Sequence, residues 1–69
     1  MGGNEKMEYR IRELRKEKRW TQGELAKKSG VSRANIVRLE NTKDVVTTTD
    51  TLKAIADAFE VPMDSLFLN

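Results

Sequence analysis

Residues 22–41 read QGELAKKSGVSRANIVRLEN, and the punctuation of this stretch decides the fold. Thr21, just before it, is suited to cap a helix. Glu24 follows three residues later, so the two form a capping box in which each side chain satisfies a backbone N–H of the other's turn. A helix therefore begins at Gln22 and runs through Leu25 and Ala26 to Ser29. Gly30 then ends it, because a residue without Cβ enters the left-handed region without a clash. Val31 is a small apolar plug in the turn. Ser32 caps a second helix whose Ile36 and Leu39, three apart, share one face. Where the two axes come closest the first helix must offer something small, and Ala26 is the candidate there.

Two short helices joined by three or four residues make a helix-turn-helix, a unit whose second helix can enter a major groove. The residues left outward on that second helix are Arg33, Ala34, Val37 and Arg38, which pair as i and i+4 (33 with 37, 34 with 38) opposite the packing stripe. Arginine can bond guanine bidentately and a small apolar side chain can touch the thymine methyl, so these four are the candidate base-reading set.

The run TQGELAKKSGVSRANIVRLEN, with its TQ-x-ELA opening, glycine turn, isoleucine and closing leucine-glutamate, resembles the Cro and phage-repressor (XRE-type) helix-turn-helix family. The likeness extends over roughly Met7 to Leu68. It implies an all-α, compact five-helix lambda-repressor-like DNA-binding domain with double-stranded DNA as partner; one such module grips too little DNA for much specificity, so a homodimer on a roughly two-fold operator is expected. Gln22 matches the family's glutamine that reaches a phosphate from this helix end. Thr21 has both cap and phosphate roles available, and Asn35, Asn41 and Lys43 are the other expected phosphate contacts. Arg15 falls beside Leu14 on the inner face of the first helix, where a buried guanidinium needs a partner; the resemblance supplies Glu40. Two departures stand out. Thr42 occupies a position where the family has glycine, which leaves Asn41 as a candidate for the left-handed cap, and the proline frequent in the following loop is missing.

With 69 residues the chain is one small domain, near the size at which a single core suffices. It has no cysteine and no histidine, so neither a disulfide nor the usual zinc site is expected, and no cofactor or metal is implied. No apolar run is long enough to span a bilayer and no charged-then-apolar leader opens the chain, which makes a cytoplasmic protein the expectation. The net charge of +2 conceals an asymmetry: residues 10–43 carry eleven Lys or Arg against four Asp or Glu, whereas residues 44–69 carry one Lys against five acids. The basic part coincides with the helix-turn-helix, which favours a polyanionic partner.

In chain order, MGGNEK (residues 1–6) opens with two glycines and no periodicity. It is expected to be a disordered tail, either native or an expression remnant with Met7 as the native start. The domain occupies residues 7–69. A first helix is expected from Glu8 to about Arg19, with Ile11 and Leu14 inward, Arg10, Arg12, Lys16 and Arg19 elsewhere, and Trp20 at its end. Gly23 is anomalous, since glycine in a helix costs about 1 kcal/mol against alanine; it either lets a phosphate approach the free N–H groups or has no role. VVTTT (45–49) has strand propensity but no partner strand, so it reads as a loop. Helix four begins after Thr48 or Thr49, presents Leu52, Ile55, Ala56 and Phe59 on one stripe, and stops at Val61-Pro62. Residues 63–67 form a last short helix in which Leu66 closes the core. Phe67 and Leu68 are surplus apolar residues and the candidate dimer contact.

The residues thus point to a sequence-specific DNA-binding regulator, most simply a repressor. The alternative is a protein-interaction module on the same fold, such as an antitoxin or accessory subunit with a regulatory protein partner; exposed Val45, Val46, Phe67 and Leu68 would serve it, and duplex binding in isolation separates the two. Catalysis is the weakest reading: Ser29, Ser32 and Ser65 lack an activating base, and no phosphate-cradling glycine loop is present.

Overall fold

The computed structural model describes residues 9–41 and 47–67. The chain forms α1 (Ile11–Glu17), α2 (Gln22–Ser29), α3 (Arg33–Asn41), α4 (Thr49–Phe59) and a 3-10 turn at Met63–Leu66. Four α-helices and a turn therefore stand where five helices were expected. The last segment is only four residues long, and the tighter i to i+3 bonding suits a piece this short. The expectations for residues 1–6, Lys43, Val45, Val46 and Leu68 fall outside the described residues.

Local chemistry sets the helix-turn-helix boundaries. Thr21 Oγ1 accepts from the Glu24 N–H at 3.0 Å and Glu24 Oε1 accepts from the Thr21 N–H at 2.8 Å, so the capping box is complete. Gly30 takes φ 76°, and its N–H donates to the Ala26 carbonyl. The turn is closed by Ser29 Oγ, which accepts from the Val31 N–H at 3.2 Å, and Ser32 Oγ accepts from the Asn35 N–H at 3.2 Å. At the far end, Asn41 is the last helical residue of α3 and its φ is not positive, so it is not the left-handed cap considered from the sequence.

The other helix ends differ from expectation in instructive ways. α1 starts at Ile11, not Glu8, because Tyr9 is drawn into an isolated antiparallel bridge with Phe67, and the Arg10 N–H donates to the Leu66 carbonyl at 2.7 Å. α1 ends before Trp20, with Arg19 in the left-handed region at φ 62°. α4 is capped by Thr48, whose Oγ1 accepts from the Thr51 N–H at 3.2 Å. Its other end is set by Glu60, also at φ 62°, whose N–H reaches the Ala56 and Asp57 carbonyls while the Val61 N–H bonds Ala56 O at 3.0 Å. This is the Schellman arrangement with a glutamate in the place glycine usually takes. Pro62 does not terminate α4; it opens the 3-10 turn that follows.

The core comprises Ile11, Leu14, Leu25, Val31, Ile36, Leu39, Leu52, Ile55, Ala56, Phe59 and Leu66. It draws on every helix, so the stripes at helical spacing converge on one interior. Each large aliphatic or aromatic member stabilises the fold by about 1.5–3 kcal/mol relative to leaving it exposed. Trp20 stacks on Phe59 with ring centroids 5.5 Å apart and planes 11° apart; Lys28 Nζ and Lys18 Nζ lie 5.0 and 5.7 Å from the Trp20 ring. Phe67, expected to be surplus, is half-buried and meets Tyr9 at 5.6 Å. Among the described residues no strand forms beyond the single bridge, and no helix is long and apolar enough to cross a membrane.

Candidate nucleic-acid interface

The inner face of α3 is sealed by Ile36 and Leu39, at 0% and 4% exposure, and this fixes what the opposite face presents. Arg33, Ala34 and Arg38 are exposed, whereas Val37 is half-buried. Of the base-reading candidates, three therefore lie open on the helix and Val37 offers only part of its side chain. Neither Arg33 nor Arg38 has a hydrogen bond or ion pair among the described residues, although other cations of the domain do: Arg10 pairs with Glu13 at 2.9 Å and Lys53 with Asp57 at 3.7 Å.

What aims α3 is a polar cluster around Glu40, whose side chain has no solvent exposure. Arg15 grips it with two bonds, Nε to Oε2 at 2.7 Å and Nη2 to Oε1 at 2.9 Å, while Arg15 Nη1 donates to the Trp20 carbonyl at 2.9 Å. Gln22 Nε2 donates to Glu40 Oε1 at 3.1 Å. Arg12 adds a longer contact, Nε 3.5 Å from the same oxygen, and its Nη2 donates to Asn41 Oδ1 at 2.8 Å. Residues from α1, the start of α2 and the end of α3 thus meet at one carboxylate, and among the described residues no buried side-chain polar atom is left without a partner. Burial pushes the Glu40 carboxyl upward, but the hydrogen bonds from Arg15 and Gln22, the Arg15 charge and the Arg12 contact outweigh it, holding the carboxyl below its ordinary range. The same hydrogen bond raises Arg15 above its usual value, against the opposing effect of its burial.

A shallow groove between α1 and the helix-turn-helix is lined by Arg12, Arg15, Lys16, Thr21, Gln22, Gly23 and Arg33. Four of these seven are cationic, and the groove runs past the N-terminus of α2, where helix N–H groups favour an anion. A Cβ built on Gly23 would meet only Thr21 Oγ1, at 3.8 Å, so nothing inside the protein requires glycine there.

The sequence-named residues divide accordingly. Arg15 and Glu40 meet directly. Thr21, Gln22 and Arg33 share the groove. Asn35 is exposed on the first turn of α3, and Asn41 is exposed but held by Arg12. Gln22 is half-buried and turned inward to Glu40, a partner the sequence reading did not give it. Arg12 and Lys16 were passed over as general surface charge. Their signal was spacing, since Arg12 stands three residues before Arg15 and four before Lys16 and so shares a helical face with both.

Comparison with known proteins agrees with this geometry. A relative from Bacillus subtilis (strain 168), described as an HTH-type transcriptional repressor, RghR, is 43% identical over 56 residues; these make up 81% of this chain but 42% of that protein. The chain thus spans less than half the length of this relative. No solved structure matches. The profile of the helix-turn-helix family matches residues 11–66, which takes in every helix described above. The chain belongs to the XRE-type helix-turn-helix family, a family of transcription regulators and not of enzymes.

Proposed function

We propose that this chain is a sequence-specific double-stranded DNA-binding module of a transcriptional regulator, acting as a repressor through a homodimer on a palindromic operator. The observation that carries the reading is the exposed pair of arginines, Arg33 and Arg38, without a partner among the described residues, on a helix whose inner face is sealed by Ile36 and Leu39. A long cation on an outward helix, with no partner among the described residues, is suited to groove recognition, and the family and the repressor relative support the same direction.

In this reading α3 lies in the major groove. Arg33, Ala34, Val37 and Arg38 face base edges, and Thr21, Gln22, Asn35, Asn41 and Lys43 hold the sugar-phosphate backbone, fixing orientation without reading sequence. One module buries too little DNA for high specificity, so two copies on half-sites about 34–36 Å apart are expected. Phe67 retains an uncovered portion beyond Tyr9 and, with Leu68, is the proposed contact between copies.

Selection of bound duplexes from a random pool tests the proposal. A symmetric consensus with two half-sites, together with an affinity that falls steeply with salt, is the expected result. Recovery of no preferred sequence would overturn it. Sedimentation of the selected complex then reads the stoichiometry.

A further inference from the structure

We propose that Arg12 is a positioning residue for the DNA contact: its guanidinium ties the end of α3 to α1 and turns the Asn41 side chain so that its amide hydrogens, not its carbonyl oxygen, face the phosphate. The proposal rests on the DNA-binding reading above and on the role that reading gives Asn41.

The geometry is specific. Arg12 Nη2 donates to Asn41 Oδ1 at 2.8 Å across 29 positions of sequence, and Arg12 Nε lies 3.5 Å from Glu40 Oε1. A guanidinium has five donors and no acceptor, so the Asn41 atom that faces it must be the carbonyl oxygen. The Nδ2 group is then directed away from Arg12, and among the described residues neither of its hydrogens has an acceptor. An unrestrained carboxamide would present its oxygen to a phosphate as readily as its nitrogen, and the oxygen orientation is repulsive. Holding the amide in one of its two orientations removes that loss before binding, which is how preorganisation raises affinity.

Core stability gives little reason for the contact. The Arg12 side chain is 52% exposed and Asn41 is exposed, and pairs of this kind contribute little to folding. The guanidinium charge is also turned towards the Glu40 carboxylate, which Arg15 alone already grips with two bonds. A second arginine on the same carboxylate is unnecessary for pairing it, but it places Arg12 within reach of Asn41.

The test is a double-mutant cycle on the full chain. Affinity for a selected duplex is measured over a range of salt concentrations for wild type, Arg12→Ala, Arg12→Lys, Asn41→Ala and both combinations with Asn41→Ala; Trp20 fluorescence checks each fold. Asn41→Ala should weaken binding by about five- to tenfold and Arg12→Ala by about two- to threefold, the cost of leaving the amide orientation unfixed, and the double variant should be no weaker than Asn41→Ala alone. The salt slope of Arg12→Ala should match wild type. Arg12→Lys should stay weak, because one ammonium cannot span Asn41 and Glu40 together. If Arg12→Ala does not fold, Arg12→Lys and its combination with Asn41→Ala carry the same comparison.

A slope reduced by about 0.9 would mean that Arg12 itself neutralises a phosphate and would overturn the proposal. So would additive losses, full recovery in Arg12→Lys, or wild-type affinity in Asn41→Ala. If wild type binds no duplex, the DNA-binding reading fails and the proposal goes with it. If wild type binds but the losses add, only the positioning role fails.

Discussion

Arg15 and Glu40 are 25 residues apart in sequence and meet as a two-pronged pair, Nε to Oε2 at 2.7 Å and Nη2 to Oε1 at 2.9 Å. The pair joins α1 to the end of α3, so the orientation of the outward helix is linked to the first helix through a covered carboxylate. The two side chains are 13% and 0% exposed, which takes the contact out of the class of surface ion pairs.

Removing one partner leaves the other charge buried. Arg15→Ala should destabilise the fold by about 3–5 kcal/mol, whereas changing both residues to a neutral hydrogen-bonding pair should recover much of the loss. Urea denaturation followed at Trp20, the one tryptophan in the chain, reads both. An Arg15→Ala protein that unfolds at the wild-type midpoint would show that the pair contributes nothing.

The depressed Glu40 carboxyl makes a directional claim about pH. Its folded-state value lies below the ordinary value of 4.5, so the folded state holds the proton less tightly than the unfolded chain. The resulting stabilisation is fully present above about pH 4.5 and is lost as pH falls through the lower folded-state value. Unfolding measured between pH 7 and pH 2 should therefore show wild type losing stability on the acid side more steeply than Glu40→Gln. Parallel profiles would remove Glu40 as the source.

Glu60 holds φ 62° at the end of α4, a region in which an L side chain costs roughly 1–2 kcal/mol. Glycine is free of that clash but has more backbone freedom to lose on folding. Glu60→Gly should raise stability by about 1 kcal/mol or less, with the urea midpoint moving up and the slope unchanged. Arg19 has the same φ, and Arg19→Gly should move stability in the same direction.

Base-reading and backbone roles separate in competition binding. Arg33→Ala or Arg38→Ala should relax preference at one base pair at a cost of about 1–3 kcal/mol, while Gln22→Ala should weaken all duplexes alike. Because Gln22 Nε2 also donates to Glu40 at 3.1 Å, Gln22→Ala should lower folding stability as well, which the two arginine variants should not. Identical specificity profiles for the two classes would refute the assignment of α3 as the reading element.

How much of this could be read beforehand follows the range of the interaction. Thr21 with Glu24, Gly30, and Ser32 with Asn35 are contacts within three residues or a property of one residue, and the ends of α2 and the start of α3 were legible to the residue. Leu52, Ile55, Ala56 and Phe59 followed from helical spacing in the same way. The end of α4 did not, because glutamate gives no sign that it will take a left-handed conformation; Val61 and Pro62 offered a stronger local signal that went unused.

The amino-acid order alone thus determined an all-helical domain, its turn, its buried stripe and three of the four outward residues on α3 (Val37 is half-buried), since capping, glycine backbone freedom and side-chain periodicity act over a few residues. Tertiary packing decided the rest. The Tyr9–Phe67 bridge delays α1, Gln22 is turned towards Glu40, and Arg12 is set against Asn41. Each is a meeting of groups far apart in the chain, whose distance and direction exist only once the helices have packed.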